Sequence, residues 1–368
     1  MSDTRPPASY TFEVPSYPQV FVPAPRKPRP YWLHILLLVL TIATTLVVGA
    51  RLQYNFSHNL PAFTTESLAL TMFPLKWIMQ SPSRLLMGIP FSATLLSILL
   101  AHESGHFVLS KKNGVYATLP YFIPAPTLIG TFGALIRIKS PIRSRQALFD
   151  IGIAGPIAGA LVALPVLLWG LALSKPLPPG TSPSALEFGY PPIFALVHRL
   201  LSPFTHHTVP LNGLYLHPVG VAAWVGMFAT ALNLIPGGQF DGGHIVYALS
   251  PRAHKWVTRL TILALLPLAY FYWDGWLVWA IILVLTGWRH PNVPKWPDLD
   301  AQRWQFATIA LLIFLLTFAL APIRGASLRE FLHPPADSTG QSHNLNCKPS
   351  GGAHNCPVMP SPASHRAV

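Results

Sequence analysis

The chain has 368 residues, of which 51% are hydrophobic and only 10% are charged. Soluble domains carry about 25% charged residues, so this composition excludes a soluble globular protein and indicates a polytopic membrane protein. The net charge of +13 does not indicate nucleic-acid binding, because the basic residues cluster at the ends of apolar runs and form no patch interleaved with aromatic residues.

Both ends of the chain are predicted to lie outside the apolar part. Residues 1–30 contain eight prolines and lack the apolar core of a cleavable signal peptide, so they are predicted to form a disordered cytoplasmic tail. Residues 323–368 are polar and are predicted to form a disordered C-terminal tail. The transmembrane domain is therefore expected at residues 31–322.

Seven apolar runs approach the length of a membrane-spanning helix. They lie at residues 32–50, 86–109, 147–173, 218–235, 256–272, 276–288 and 306–321. Basic clusters flank several of these runs, and placing those clusters in the cytoplasm puts the N-terminus inside and the C-terminal tail outside. The predicted fold class is an all-α polytopic membrane protein with about seven transmembrane helices.

One apolar region, residues 116–140, does not have the pattern of a helix. Pro120, Pro124 and Pro126 interrupt its first half, and its second half alternates with a period of two over residues 132–138. That period predicts a membrane-associated β-strand or hairpin, which must lie against protein or at a wet cavity because lipid cannot satisfy an open strand edge. An irregular cytoplasmic loop is the alternative.

The second apolar run contains the sequence HESGH at residues 102–106. Histidines four residues apart share one face of a helix, so His102 and His106 can bind one zinc ion, with Glu103 beside them as a general base for hydrolysis. Ionisable side chains at membrane depth are costly and therefore rare. A chance H-E-x-x-H match would be expected where polar residues are common, and this one lies in an apolar run. The structural alternative is a buried polar cluster that only joins helices.

A catalytic zinc site requires a third protein ligand, and two aspartates lie at a suitable depth. Asp241 follows the fourth run in a segment whose glycines and prolines let the chain leave the helix and turn. Asp150 opens the third run and could be a partner of a ligand or a residue at the membrane interface. The residues favour Asp241 and leave the role of Asp150 open. Gly155 and Gly159 form a G-x-x-x-G pair that predicts close helix packing.

Three blocks of the sequence together resemble the site-2 proteases, which are intramembrane zinc metalloproteases. They are HESGH at 102–106, GTFGALIRIKS and DIGIAGPIAG within 130–159, and NLIPGGQFDGG at 233–243. The middle block is most similar to the plastid and bacterial branch of the family. The resemblance covers about residues 85–250, which are the expected catalytic core.

The resemblance implies one zinc ion per chain, held by His102, His106 and Asp241, with Glu103 activating water and Asn233 beside the scissile carbonyl. It also implies that the substrates are membrane proteins with a transmembrane helix, and that a site-1-type protease makes an earlier cut. A bacterial inner membrane is the expected location. The sequence departs from many bacterial members because the loop at 174–216 is too short for a PDZ domain.

Other classes of protein fit less well. A membrane zinc or divalent-cation transporter would repeat polar sites along a pathway, and it is the main alternative. A zinc protease of prenylated proteins would supply a downstream glutamate as its third ligand, and a di-iron desaturase would need several histidine boxes. In the C-terminal tail, Cys347 and Cys356 lie near histidines and could bind a metal, form a disulfide, or do neither.

Overall fold

The structure is a computed structural model that describes residues 31–63, 73–177, 187–205, 209–287, 293–294 and 298–333. The predicted N-terminal tail and the two cysteines lie outside these residues. The described part is mostly helical. Its α-helices are α1 (Trp32–Ser57), α2 (Leu75–Met79), α3 (Ile89–Lys112), α4 (Arg145–Ala172), α5 (Pro192–Thr205), α6 (Pro218–Asn233), α7 (Asp241–Leu249), α8 (Pro251–Phe271), α9 (Gly275–Gly287), α10 (Ala301–Thr317) and α11 (Leu328–Leu332).

Each of the seven predicted runs coincides with a helix, but the prediction of about seven spans is not confirmed. By length and composition, three described helical segments can cross a membrane: α1, α4 and the unit formed by α3 with the 3₁₀ helix Pro82–Gly88 before it. The apolar helices α6, α9 and α10 have 17 residues or fewer. Breaking residues explain their length, since proline and glycine follow the end of α6.

The three long helices form the centre of the fold together with α6. α1 and α3 are antiparallel, because Thr45 hydrogen-bonds Ser92 at 2.7 Å while Gly49 lies against Gly88. The main hydrophobic core consists of buried aliphatic and aromatic residues of α1, α3, α4 and α6. Phe91 and Leu95 of α3 are almost fully buried in it. This packing holds the helix that carries the HESGH sequence at the middle of the protein.

Two antiparallel strands, β1 (Tyr121–Pro124) and β2 (Thr131–Leu135), form a hairpin beside α1. Tyr121 stacks on His34 at the start of α1, and the Gly130 carbonyl at the turn accepts a hydrogen bond from Thr44 at 2.6 Å. β2 ends earlier than the predicted strand at 132–138, because Ile138 makes only an isolated bridge to Ala117. The association of the hairpin with a membrane stays a prediction.

A short strand and a short helix lie within the first residues of the predicted C-terminal tail, and the predicted domain boundaries stay predictions. Strand β6 (Ile323–Arg324) pairs with β4 (Glu187–Phe188), and α11 begins with a capping box between Ser327 and Glu330. A second short pair joins β3 (Lys175–Pro176) to β5 (Leu214–Tyr215). These local hydrogen bonds do not depend on apolar patterning, so hydropathy did not predict them.

Asp150 pairs with an arginine and does not lie at the histidines. Its two carboxylate oxygens accept hydrogen bonds from Nε and Nη2 of Arg303 at 2.8 and 2.7 Å. A second ion pair, between Arg145 and Asp298, joins the same two regions of the chain. The first turn of α10 is thereby fixed to the start of α4, so the structure assigns Asp150 to helix attachment.

We expect Arg303→Gln to lower the free energy of unfolding by about 1–2 kcal/mol, because it leaves the half-buried Asp150 carboxylate without its charged partner. Thermal unfolding in detergent would measure this change, with the exposed Arg329→Gln as the matched control. Arg303→Gln combined with Asp150→Asn should cost less than the sum of the two single changes. Additive losses would contradict a direct interaction.

Candidate metal centre

The middle of α3 carries three ionisable side chains on a helix that is otherwise apolar. His102, Glu103 and His106 are buried, with 5%, 5% and 7% of their surface exposed. The spacing of four residues directs both imidazoles towards the same side of the helix, and their ring centroids lie 4.9 Å apart. The helix therefore presents two histidines together to whatever packs beside it.

Asp241 completes the group as the first residue of α7. Its Oδ2 atom lies 3.3 Å from Nε2 of His102 and 3.1 Å from Nε2 of His106. One ligand atom from each of these three residues lies within 4.8 Å of the other two, close enough to hold one metal ion. Among the residues that the structure describes, no second group of histidine, cysteine and carboxylate side chains meets this criterion.

A hydrogen bond to a carbonyl group of α4 fits His106 for metal binding. Its Nδ1 donates to the Ile151 carbonyl at 2.7 Å. A ring whose Nδ1 carries the proton has a free electron pair on Nε2, the atom that faces Asp241. Two such nitrogens and one carboxylate oxygen are the donor set of a three-ligand zinc site with a position left for water, so the residues present fit zinc.

The turn between α6 and α7 places Asp241 at the histidines, and α8 holds this turn. His254 Nε2 donates to the Gly238 carbonyl at 3.0 Å, and Thr258 accepts from the Gly238 N–H at 3.3 Å. Burial lowers the pKa of His254, which favours its neutral form. Sequence reasoning missed these two residues, although a histidine and a threonine at the start of an apolar helix are a signal that could have identified them.

The two remaining predicted site residues also lie at this centre. The backbone N–H of Ile136, just beyond β2, lies near the Glu103 carboxylate. Nδ2 of Asn233, the last residue of α6, lies 3.1 Å from Nε2 of His102. The structure thus brings together the five predicted residues from α3, α6 and α7, and it places Asp150 elsewhere.

The sequence model of peptidase family M50 matches residues 90–268, a segment that contains all five of these residues. This match identifies an M50 peptidase domain within the chain. It agrees with the resemblance to the site-2 proteases that the motifs indicated, and the three candidate metal ligands lie within the matched residues.

The chain is also similar to curated plant proteins. It is 32% identical to the probable zinc metalloprotease EGY1, chloroplastic, of Oryza sativa subsp. japonica, over 64% of this chain and 41% of that protein. It is 28% identical to the protein of the same name from Arabidopsis thaliana, over 83% of this chain and 55% of that protein. EGY2 of Arabidopsis thaliana, also named a probable zinc metalloprotease, is 28% identical over 62% of this chain and 41% of that protein. The matches therefore span about two fifths to just over half of these relatives.

Two glycines of α4 make room for the metal ligands of the M50 domain. A Cβ atom at Gly155 would lie 2.1 Å from Nε2 of His106, and a Cβ atom at Gly159 would lie 3.1 Å from Nδ1 of His102. The G-x-x-x-G pair thus accommodates two imidazole rings, which is a more specific role than the predicted helix packing.

We expect Gly155→Ala to weaken zinc binding by about 10–100-fold, since the added methyl group would occupy the position of the His106 ring. Gly159→Ala places its methyl group at a longer distance and should have a clearly smaller effect. Zinc content measured on purified, monodisperse protein during stepwise chelation would test this order. Equal zinc affinity in wild type and Gly155→Ala would show that the ring does not depend on this glycine.

Proposed function

We propose that this chain is an intramembrane zinc metalloprotease that hydrolyses peptide bonds in or near transmembrane segments of other membrane proteins. One observation carries the proposal. His102, Glu103 and His106 lie on a helix that is long and apolar enough to cross a membrane, and Asp241 from α7 meets the two histidines there. Ionisable groups are costly at that depth, and hydrolysis assigns a task to each of the four.

The chemistry divides between the metal and the side chains. A zinc ion held by the three ligands would polarise the scissile carbonyl and lower the pKa of water to about 7. Glu103 accepts a proton from the attacking water as its oxygen bonds to the carbonyl carbon, and returns a proton to the leaving nitrogen as the C–N bond breaks. The Ile136 N–H orients the Glu103 carboxylate for both transfers.

Asn233 is the proposed partner of the substrate carbonyl. Its amide nitrogen lies 3.1 Å from a ligand nitrogen, within reach of a carbonyl placed at the metal. An amide donor aimed at the developing negative charge on oxygen stabilises the transition state. The Asp241 side chain retains 16% of its surface exposed while the two histidines retain 6% and 8%, so we place water entry on the Asp241 side.

The hairpin is the proposed site of substrate capture. A transmembrane helix hides its carbonyls in internal hydrogen bonds and must unwind before it can be cut. Strand β2 leads directly to Ile136 and therefore to Glu103. An unwound substrate segment added to β2 by strand pairing would be delivered beside the general base.

The geometry of the site does not identify the substrates, an earlier cut by another protease, or the membrane in which the protein lies. We propose membrane proteins with a transmembrane helix as substrates, a site-1-type protease as an upstream partner, and an N-terminus in the cytoplasm. The plant relatives carry the word chloroplastic in their names, so they support a membrane protease without favouring the bacterial inner membrane.

A zinc transporter is the second candidate. It would require further polar sites along a path through the protein, and the described residues contain one candidate metal group. Glu103 would have no evident task in a transporter, because it is not among the three residues that converge as ligands. The protease proposal accounts for this residue.

We expect Glu103→Gln to keep its zinc and to lose cleavage by about 10²–10⁴-fold, because the amide cannot accept the proton. Asp241→Ala should lose most of its zinc and most of its cleavage activity. Asp150→Ala is the matched control, since this aspartate lies outside the ligand group, and it should retain zinc. The measurement is cleavage of a transmembrane substrate in reconstituted membranes, alongside metal analysis. Full cleavage by Glu103→Gln would refute the proposal.

Proline at Ala134 in β2 should impair cleavage of a helical substrate while zinc content stays unchanged, because proline removes a backbone donor from the strand. Proline at Ile136 should impair cleavage as well, but it also removes the N–H that lies near Glu103. Only Ala134→Pro therefore isolates substrate capture. A short unstructured peptide serves as the control substrate, and unchanged cleavage of the helical substrate by Ala134→Pro would exclude strand addition at β2.

A further inference from the structure

Two arginines and a lysine gather around one tryptophan far from the metal centre. The guanidinium carbons of Arg51 and Arg84 lie 5.3 and 4.5 Å from the ring centroid of Trp77. Lys76 is exposed beside Trp77 in α2. We call these four residues the Trp77 cluster. Cation–π contacts hold the two arginines in place without neutralising their charge.

The Trp77 cluster and the two lysines that end α3 lie at opposite ends of the antiparallel helices α1 and α3. Arg51 is in the last part of α1, and Arg84 lies in the 3₁₀ helix Pro82–Gly88 before α3, which runs antiparallel to α1. Lys111 and Lys112 are in the last turn of α3, at the other end. The positive-inside pattern collects basic residues on one side of a membrane, so the cations at this end, which also include Lys175 beside Phe56 of α1, need a separate explanation.

No carboxylate compensates this charge in the part of the chain that the structure describes. Residues 31–63 and 73–102 contain no aspartate or glutamate. None of the ion pairs between described residues includes Arg51, Lys76 or Arg84. Arg84 donates one hydrogen bond, from Nη1 to the Trp77 carbonyl at 2.8 Å, which leaves its other donors for a ligand. The cluster therefore suits an anion.

The surroundings of the cluster indicate what kind of anion it meets. Large apolar side chains next to it are exposed: Leu75 by 51%, Met79 by 71% and Leu86 by 68%. A free anion gains nothing from such neighbours, whereas a lipid places its charged head group and its acyl chains side by side. Tryptophan and tyrosine also favour the membrane interface, and Tyr54 packs edge-on against Trp77 at 5.1 Å.

We propose that the Trp77 cluster binds the head group of an anionic glycerolipid, with the acyl chains lying along Leu75, Met79 and Leu86. The guanidinium donors of Arg51 and Arg84 face the phosphate or sulfonate oxygens, which are the acceptors that arginine matches best. Lys76 adds a point charge at the rim. This site is independent of the proposed protease activity, and its binding can be measured without a substrate.

The test uses the full chain in nanodiscs of phosphatidylcholine with a minor fraction of phosphatidylglycerol. Mass spectrometry of the lipids that remain bound after mild delipidation gives the enrichment of phosphatidylglycerol. Wild type should enrich this lipid, and Arg51→Gln with Arg84→Gln should lose the enrichment by about tenfold or more. Lys111→Gln with Lys112→Gln removes the same charge at the other end of α3 and should leave the enrichment unchanged.

Lys76→Gln keeps the test decisive if the double arginine variant does not fold, because this side chain is exposed. It should lower the enrichment by about fivefold. Unchanged enrichment in Lys76→Gln and the arginine variant would overturn the proposal, as would an equal loss in the Lys111 and Lys112 control. Complete displacement of the lipid by inorganic phosphate would identify a free-anion site instead and would also overturn it.

Discussion

The fold depends on one arrangement, the convergence of two imidazole nitrogens and one carboxylate oxygen at a single point inside an apolar protein. A buried carboxylate without a partner is very costly, and a buried imidazole also needs a partner for its ring nitrogens. Together they place the Asp241 oxygen within 3.1–3.3 Å of both rings. The backbone around the site has to let the Asp241 carboxylate and the two imidazole rings come this close. Several features of the sequence that look unrelated make this possible.

The first of these features is the contact between α3 and α4. A Cβ atom at Gly105 would lie 2.4 Å from the Ala154 carbonyl, so the two helices approach each other closely. The approach brings the Ile151 carbonyl to Nδ1 of His106 and leaves room at Gly155 for the ring itself. One pair of packed helices thus sets the position, the tautomer and the available electron pair of a metal ligand.

How much of this could be predicted from the sequence depends on the range of each interaction. The histidine pair follows from helical periodicity, and Asp241 follows from the proline and glycine residues that end α6, because both signals are local. The contact of Asp150 with Arg303 joins residues 153 positions apart, and local patterns contain no information about it. His254 and Thr258, which hydrogen-bond the Asp241 turn, offered only a weak local signal, as polar residues at the start of an apolar helix. Hydropathy identified seven apolar helices but not their lengths, and three described segments are long and apolar enough to cross a membrane.

The link between Glu103 and the hairpin joins chemistry to substrate binding in the proposed mechanism. Because the Ile136 N–H lies near the general base, a segment paired with β2 would meet the carboxylate that receives the proton. An intact helix offers no free backbone groups to β2, so the proposed strand pairing would select for substrates that unwind and not only for a particular side chain. Apolar transmembrane sequences resemble one another, and the ease of unwinding is a property in which they differ. Selection at the backbone therefore gives this fold a means of discrimination that side-chain pockets in an apolar environment would supply poorly.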